Sequence, residues 1–312
     1  MSTLTFSITP EQDGHRLSRL LRTDCRCSAR LVKQLKYLPD GILLDGVRAF
    51  LDQRVSVGQR LTLNLPPDPP SDIVPCEGPL DLLYEDEHLL VVNKPPYVPV
   101  HPGPGHHEDS LGNFLTWHYL QNGTPHTYRP VNRLDRSTSG LMCVAKDGYT
   151  QELLKLQLHT QSFSRIYTAC CHCFVPLVQH FVNAPIARQK DSVLKREIRP
   201  DGAPALTYFQ LLERRGDRAL LALKLATGRT HQIRVHMASI GWPLLGDFLY
   251  GQEEPEVIGR TALHSWHLSF LHPITGEKLE FTTPPPPDFT ALFPHYRYPD
   301  PATLDFGKDT SC

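Results

Sequence analysis

The sequence predicts an α+β chain in two parts. A small N-terminal α/β module spans residues 13–65, and a larger domain spans residues 80–290, followed by a C-terminal tail, 291–312. Three observations predict this. Residues 66–79, PPDPPSDIVPCEGP, hold six prolines, which continue neither a helix nor a central strand, so this stretch reads as an extended, semi-rigid linker. Ahead of it lie two short basic helices and a hairpin. Behind it, short strands alternate with a few helices in no regular βαβ order. No G-x-G-x-x-G opens a helix and there is no Walker loop, so nucleotide-cofactor chemistry finds no support.

In the module, Leu17, Leu20 and Leu21 share one helical face while Arg16, Arg19 and Arg22 lie elsewhere. Ser28 caps a second helix, with Leu31, Val32 and Leu35 inward and Arg30, Lys33 and Lys36 outward. Asp45-Gly46, set between apolar residues, marks a hairpin, and alternating Leu61, Leu63 and Leu65 mark a strand. In the larger domain, LLYEDEHLLVVNKP reads as strand, turn and strand. SLGNFLTWHYLQNG is a helix capped by Ser110 and stopped by Gly123, and QELLKLQLHT is an amphipathic helix. SRIYTACCHCFV and ALLALKLA are buried strands, THQIRVHMASIG is a helix closed by Gly241, and HSWHLSF and KLEF are late strands. No internal repeat is present.

An apolar content of 40% with 21% charged residues is ordinary globular composition and excludes wholesale disorder. The apolar runs, such as Leu89–Val92, fall far short of the ~20 residues of a membrane span. The start, MSTLTFSITPEQ, lacks the basic and apolar regions of a secretory signal. Cys25 and Cys27 are two apart and Cys170 and Cys171 adjacent, which is no disulfide framework, so a reducing, cytoplasmic setting is expected. Net charge is only −1, yet residues 13–65 and 185–246 are basic and residues 66–131 and 247–312 acidic. That pattern fits a nucleic-acid surface and equally a solvated one.

Sixteen histidines invite a metal reading, but CCHC (170–173) sits in a strand where neighbours face opposite ways, and His231 and His236 are five apart on a helix, off the spacing of a zinc pair. The informative segment is RPVNRLDRSTSGLMCVAKD (129–147). Asp135 lies between Arg133 and Arg136, whose charges would keep the carboxylate ionised, and a hydroxyl-rich turn with Gly140 follows. On its residues alone, this also fits an ordinary salt-bridged loop.

NRLDRSTSGLMCVAK resembles the HRLDxxTSGLLLxAK signature of the RluA family of pseudouridine synthases. VVNKPPYVPVHPGPG (91–105), SRIYTACC (164–171), LATGRTHQIRVHMASIGWPLLGDFLYG (225–251) and HSWHLSFLHPITGE with FTTPPPPDF are similar to further family segments, in the family's order, so the likeness covers roughly 80–290. The module, with its VSVGQ turn (55–59), resembles the alpha-L RNA-binding module. Two departures stand out: Asn132 replaces the usual His, and Arg165 the usual Lys.

The resemblance implies a mostly antiparallel mixed sheet with the cleft across its face. It implies isomerisation of uridine to pseudouridine in rRNA or tRNA, with no cofactor, no membrane and no DNA, by a chain acting as a monomer. The family aspartate falls on Asp135, which acts on the ribose either as nucleophile or by removing a ribose proton. Tyr167 would stack on the uracil, Arg234 would pair with the aspartate, and Arg133 and Arg229 would contact phosphate. Arg16, Arg19, Arg30 and Lys33 would carry the module's phosphate contacts. A non-catalytic RNA-binding or assembly protein of the same fold stays open as the alternative. A carboxylate glycosidase is more remote, since no second acid is evident in the sequence.

Overall fold

The computed structural model describes residues 3–66, 69, 71–158, 160–174 and 180–306. Parts of four segments read from the sequence, namely linker residues 67, 68 and 70, His159 and Val175 at the ends of a helix and a strand, and tail residues 307–312, lie outside the described residues.

The module is built as its pattern requires. Strand β1 (Thr3–Ser7) is followed by α1 (Leu17–Thr23), α2 (Ala29–Tyr37), β2 (Ile42–Leu44), β3 (Val47–Arg48) and β4 (Arg60–Asn64), with the sheet ordered β1-β4-β2-β3. Ser28 accepts the Leu31 backbone N–H at the start of α2. The β2–β3 turn places both Asp45 (φ 49°) and Gly46 (φ 82°) in the left-handed region, the conformation that a two-residue hairpin demands. Leu17, Leu20, Leu21, Leu35, Leu61 and Leu63 are buried together between helices and sheet.

The larger domain contains β5 (Leu82–Glu85), β6 (Leu89–Lys94), α3 (Leu111–Gln121), β7 (Arg129–Pro130), β8 (Ser139–Ala145), α4 (Gly148–Gln157), β9 (Ser164–His172) and β10 (Phe181–Asn183). A small hairpin, β11 (Ile186–Arg188) and β12 (Arg196–Ile198), precedes β13 (Leu206–Arg215), β14 (Arg218–Leu225), α5 (Gln232–Ser239), β15 (Leu263–Leu271), β16 (Lys278–Thr282) and α6 (Pro287–Thr290). The main sheet runs β10-β13-β14-β9-β15-β8-β6-β5, with β16 beside β15 and β7 beside β8. Among the described residues its pairs are antiparallel except β8 with β15, so the architecture is α+β on a mixed, mostly antiparallel sheet.

The β8–β15 pair sits at the centre, and Gly140 permits it. A β-carbon there would lie 2.2 Å from the Ser265 carbonyl oxygen, and its φ of 110° suits glycine alone. Strand β9 alternates as a two-sided buried strand must. Tyr167, Ala169 and Cys171 face the core shared with α3 and α5, while Ile166 and Cys170 face the opposite layer.

Two boundaries differ in character from the sequence expectation. Described residues 71–78 carry neither helix nor strand, but they are fastened to α3: Cys76 N–H donates to the Asn113 carbonyl (3.2 Å), and Asn113 Nδ2 to the Val74 carbonyl (2.7 Å). Nor does the core stop at 290. Phe293, Tyr296, Tyr298, Leu304 and Phe306 pack on the back of the sheet against Cys170, Leu220 and Trp266. Aromatic rings bury large areas, so apolar spacing in the tail, not the proline cluster before it, decides where the core ends.

The module docks directly on the larger domain. Tyr149 and Leu153 of α4 are buried in the module's own core, and the Tyr149 hydroxyl donates to the Cys25 carbonyl (2.7 Å). Burying a side chain of this size contributes about 1.5–3 kcal/mol.

Candidate functional site

Segment 131–139 leaves β7, turns and re-enters the sheet as β8. Asn132 Oδ1 accepts the Cys143 N–H (2.9 Å), and the Thr138 N–H returns to the Asp135 carbonyl (3.0 Å), closing a turn with Asp135 as its first residue. Below this turn, buried Lys94 donates to the carbonyls of Pro95, Val98 and Arg136 at 2.8, 2.8 and 3.2 Å. The turn is therefore held by backbone contacts on both sides, and the Asp135 side chain, one quarter exposed, projects into a cleft.

The opposite wall is the start of α5. Buried Gln232 accepts from the Arg229 N–H (3.0 Å) and the Thr227 hydroxyl (2.7 Å), and donates to the Leu206 carbonyl and Thr207 hydroxyl at 3.0 Å. This bracing holds His231 in the left-handed region (φ 57°), a strained conformation for a non-glycine residue. Arg234 then points into the cleft. Its Nη1 donates to Asp135 Oδ2 (3.2 Å), while Nε and Nη2 grip Asp247 in a two-point pair at 2.7 Å each. Phe248 and Tyr250 place their rings 5.7 and 5.2 Å from its guanidinium. Burial alone works against the Arg234 charge, but Asp247 and Asp135 outweigh it and hold the group above its ordinary value.

A cavity of about 350 Å³ is lined by Arg133, Asp135, Tyr167, Arg229 and Arg234 together, so five sequence-predicted residues meet in one place. A larger lobe of about 720 Å³ shares Arg133, Asp135, His231 and Arg234 with it. Burial lifts the Tyr167 phenol above its usual range, with Arg165 opposing that shift, so at neutral pH it is a protonated phenol. Burial also lowers His231, whose Nε2 lies 3.8 Å from Asp135 Oδ2.

Several expectations are corrected. The counter-charge of Asp135 does not come from its sequence neighbours: Arg133 is exposed, and Arg136 Nε turns to the Tyr97 carbonyl. It comes from Arg234, 99 residues away, because adjacent side chains in a tight turn diverge. Arg229 lines the cavity but spends its Nε on the Pro204 carbonyl (3.0 Å). A second carboxylate does stand behind the site. Asp247 is fully buried and committed to Arg234, so it is not available as a free acid. The charge inside apolar LLGDFLY was its sequence signal.

In the module Arg16, Arg19, Arg30 and Lys33 are all exposed. Arg30 also lines an inter-domain groove of about 700 Å³ with Arg129 and Lys155, and His101 forms a wall of both that groove and the cleft. Arg16, Arg19 and Lys33 are not brought to either cavity. Among the described residues no group of three or more His, Cys, Asp or Glu side chains is arranged to hold a metal ion.

The family described as RNA pseudouridylate synthase matches residues 88–239, which span the Asp135 turn, Tyr167 and Arg234. The chain is 41% identical over 266 residues to an uncharacterized RNA pseudouridine synthase, YjbO, of Bacillus subtilis, covering 85% of this chain and 94% of that one. It is 35% identical over 311 residues to ribosomal large subunit pseudouridine synthase D of Zymomonas mobilis, covering 94% and 97%. Human RNA pseudouridylate synthase domain containing 1 superposes with a TM-score of 0.55 at 27% identity, over 68% of this chain and 87% of that one. Relatives aligned over nearly their full length, on a fold that superposes and a segment that holds the aspartate, tyrosine and arginine of the cavity, make this chain a member of the RNA pseudouridine synthase family of RNA-modifying enzymes.

Proposed function

We propose that the protein isomerises uridine in ribosomal large-subunit RNA, as an RluA-type pseudouridine synthase with an alpha-L RNA-binding module, in the cytoplasm. The observation that carries this reading is the Asp135–Arg234 pair opening into one cavity with Tyr167. The choice of RNA rests on relatives named for the large ribosomal subunit.

The chemistry follows from the groups present. A uridine must leave its stack to enter the cavity. Asp135, steadied by Arg234, acts on the ribose, and the N1–C1′ bond breaks. The uracil turns and C5 bonds to C1′. The C5 proton then leaves and N1 regains one, so product and substrate are isomers and no outside reagent is consumed. Tyr167 stacks against the base, and its protonated phenol is placed to donate rather than to act as a phenolate at neutral pH.

The test is release of tritium from large-subunit rRNA labelled at uridine C5, with the site mapped by comparing RNA from a deletion strain and its parent. Stoichiometric release at one mapped uridine is expected. No release from rRNA, or unchanged pseudouridine maps, overturns the substrate assignment.

Tyr167 separates stacking from proton handling. Stacking contributes ~1–3 kcal/mol per base, so Tyr167→Leu is expected to slow turnover at least about fivefold. Tyr167→Phe, which keeps the ring but loses the phenol donor, is expected to detach uracil yet slow the return of a proton to N1. Near-wild-type turnover in both variants removes Tyr167 from the site. For the module, Arg30→Ala with Lys33→Ala is expected to weaken RNA binding and flatten its salt dependence by roughly 1–2 units of log–log slope. An unchanged slope argues that RNA does not cross this face.

A further inference from the structure

The cleft is larger than one reacting nucleoside requires. The cavity of about 350 Å³, the one of the two lobes that Tyr167 lines, already falls within the ~300–1,000 Å³ that holds a small ligand. The second lobe, about 720 Å³, shares Arg133, Asp135, His231 and Arg234 with it, so the two meet at the reacting group. Two aromatic side chains belong to the larger lobe alone, Tyr97 (48% exposed) and Phe248 (55% exposed). Exposed rings gathered in one concavity mark a binding surface, unlike apolar residues scattered singly.

Tyr97 is held in place at a cost. Its φ of 67° lies in the left-handed region, which glycine adopts freely and a bulky residue only under strain. Among the described residues four non-glycine residues have positive φ, and two of them, Tyr97 and His231, line this lobe. Tyr97 is also tethered at both ends. Its carbonyl accepts from Arg136 Nε at 3.2 Å, and its hydroxyl donates to the Gly259 carbonyl at 2.9 Å. The side chain therefore spans from a basic end, where Arg133 and Arg136 are exposed, to an acidic one, the segment Glu253, Glu254 and Glu256 that leads into Gly259. Phosphate is attracted to the first end and repelled from the second. At the acidic end Glu254 is paired with His172, whereas the Glu253 carboxylate has no ion-pair partner among the described residues. An ionised carboxylate only accepts hydrogen bonds, so it suits an amino group.

Resting on the reading of the site given above, we infer that the larger lobe is a subsite for a second nucleotide, a neighbour in the strand of the uridine that reacts. Its base stacks on Tyr97 and Phe248, its phosphate lies toward Arg133 and Arg136, and Glu253 accepts from the base's amino group. Stacking tolerates every base, since each has a π-face. The carboxylate does not, because adenine, cytosine and guanine carry an exocyclic amino group and uracil carries none. The subsite thus selects the sequence beside the reacting uridine and leaves the reacting base to the smaller cavity.

The experiment uses a stem-loop RNA cut from large-subunit rRNA around the uridine that the wild type modifies, with the nucleotide on its 5′ or its 3′ side made abasic in turn. Dissociation constants are measured in an Asp135→Asn background, so that no turnover intervenes. One of the two abasic RNAs is expected to bind at least about fivefold more weakly than the intact RNA. Tyr97→Gly, which suits the backbone at that position and so preserves the fold, and Phe248→Ala are each expected to weaken binding of the intact RNA at least about threefold. Neither is expected to add to the loss on that abasic RNA. With uridine in place of adenosine at that neighbouring position, binding is expected to fall at least about threefold, and Glu253→Ala is expected to erase the difference. Full affinity for both abasic RNAs, equal binding of the adenosine and uridine RNAs, or variants that weaken intact and abasic RNA alike overturn the inference. Wild-type protein that releases no tritium from the intact stem-loop overturns the parent reading and this one with it. Tritium release together with full affinity for both abasic RNAs overturns this one alone.

Discussion

Asp135→Asn is expected to abolish pseudouridine formation, lowering single-turnover tritium release by on the order of 10⁴-fold or more. The substitution keeps the shape of the side chain and its acceptor oxygen toward Arg234 Nη1, but removes the negative charge on which either proposed action on the ribose depends. Arg234 is not stranded by the change, because Nε and Nη2 stay paired with Asp247 at 2.7 Å. The cleft should therefore keep its form. RNA affinity is expected to stay within about threefold of wild type, since phosphate contacts dominate binding. Stability is expected to stay level or rise, as a partly exposed active-site charge tends to be kept for function at some cost to the fold. The check is tritium release by a variant shown by circular dichroism to be folded. Release at a rate comparable to wild type would remove Asp135 from the chemistry.

How much of this was legible in the sequence depended on whether the signal was local. The Ser28 cap, the Asp45-Gly46 turn and the alternation along β9 are decided by neighbours in the chain, and each takes the conformation its residues dictate. Asp135 was visible through its motif, because the turn that aims it is itself local. Its partner was named through the family resemblance, whereas simple adjacency pointed to Arg133, which the turn directs elsewhere. The role of Asp247 is not legible in the chain, since a single carboxylate in an apolar run declares its partner only after two loops have met. The docking of α4 on the module was equally hidden. Tyr149 and Leu153 belong to a helix whose apolar face also serves its own domain, and sequence periodicity does not divide one face between two cores. The packing of the tail is hidden in the same way, because Phe293, Tyr296, Tyr298 and Phe306 follow no regular period.

Asp247→Ala is expected to be the most damaging single change to the fold at this site. Asp247 is fully buried and accepts four hydrogen bonds: two from the Arg234 guanidinium, and one each from the Leu249 and Tyr250 backbone N–H groups at 3.0 and 3.2 Å. Removing it leaves a nearly inaccessible guanidinium with only Asp135, at 3.2 Å, to balance it. Breaking one partner out of a buried pair costs about 3–5 kcal/mol, far more than an exposed pair is worth, because the remaining charge stays desolvated. The cost reaches the chemistry as well. Freed from its two-point grip, the guanidinium can turn wholly toward Asp135 and hold the carboxylate away from the ribose. Asp247→Asn keeps the shape and one acceptor oxygen, so an intermediate loss is expected, ordered wild type, then Asn, then Ala, in both urea unfolding and single-turnover rate. The charge network predicts a further asymmetry. In an Asp135→Asn background, Asp247→Ala should cost more stability than in the wild type, since no full carboxylate then faces Arg234. A double-mutant cycle by urea unfolding measures that coupling. Additive losses would show that Arg234 finds its counter-charge elsewhere and that the Asp135–Arg234–Asp247 chain does not act as one unit.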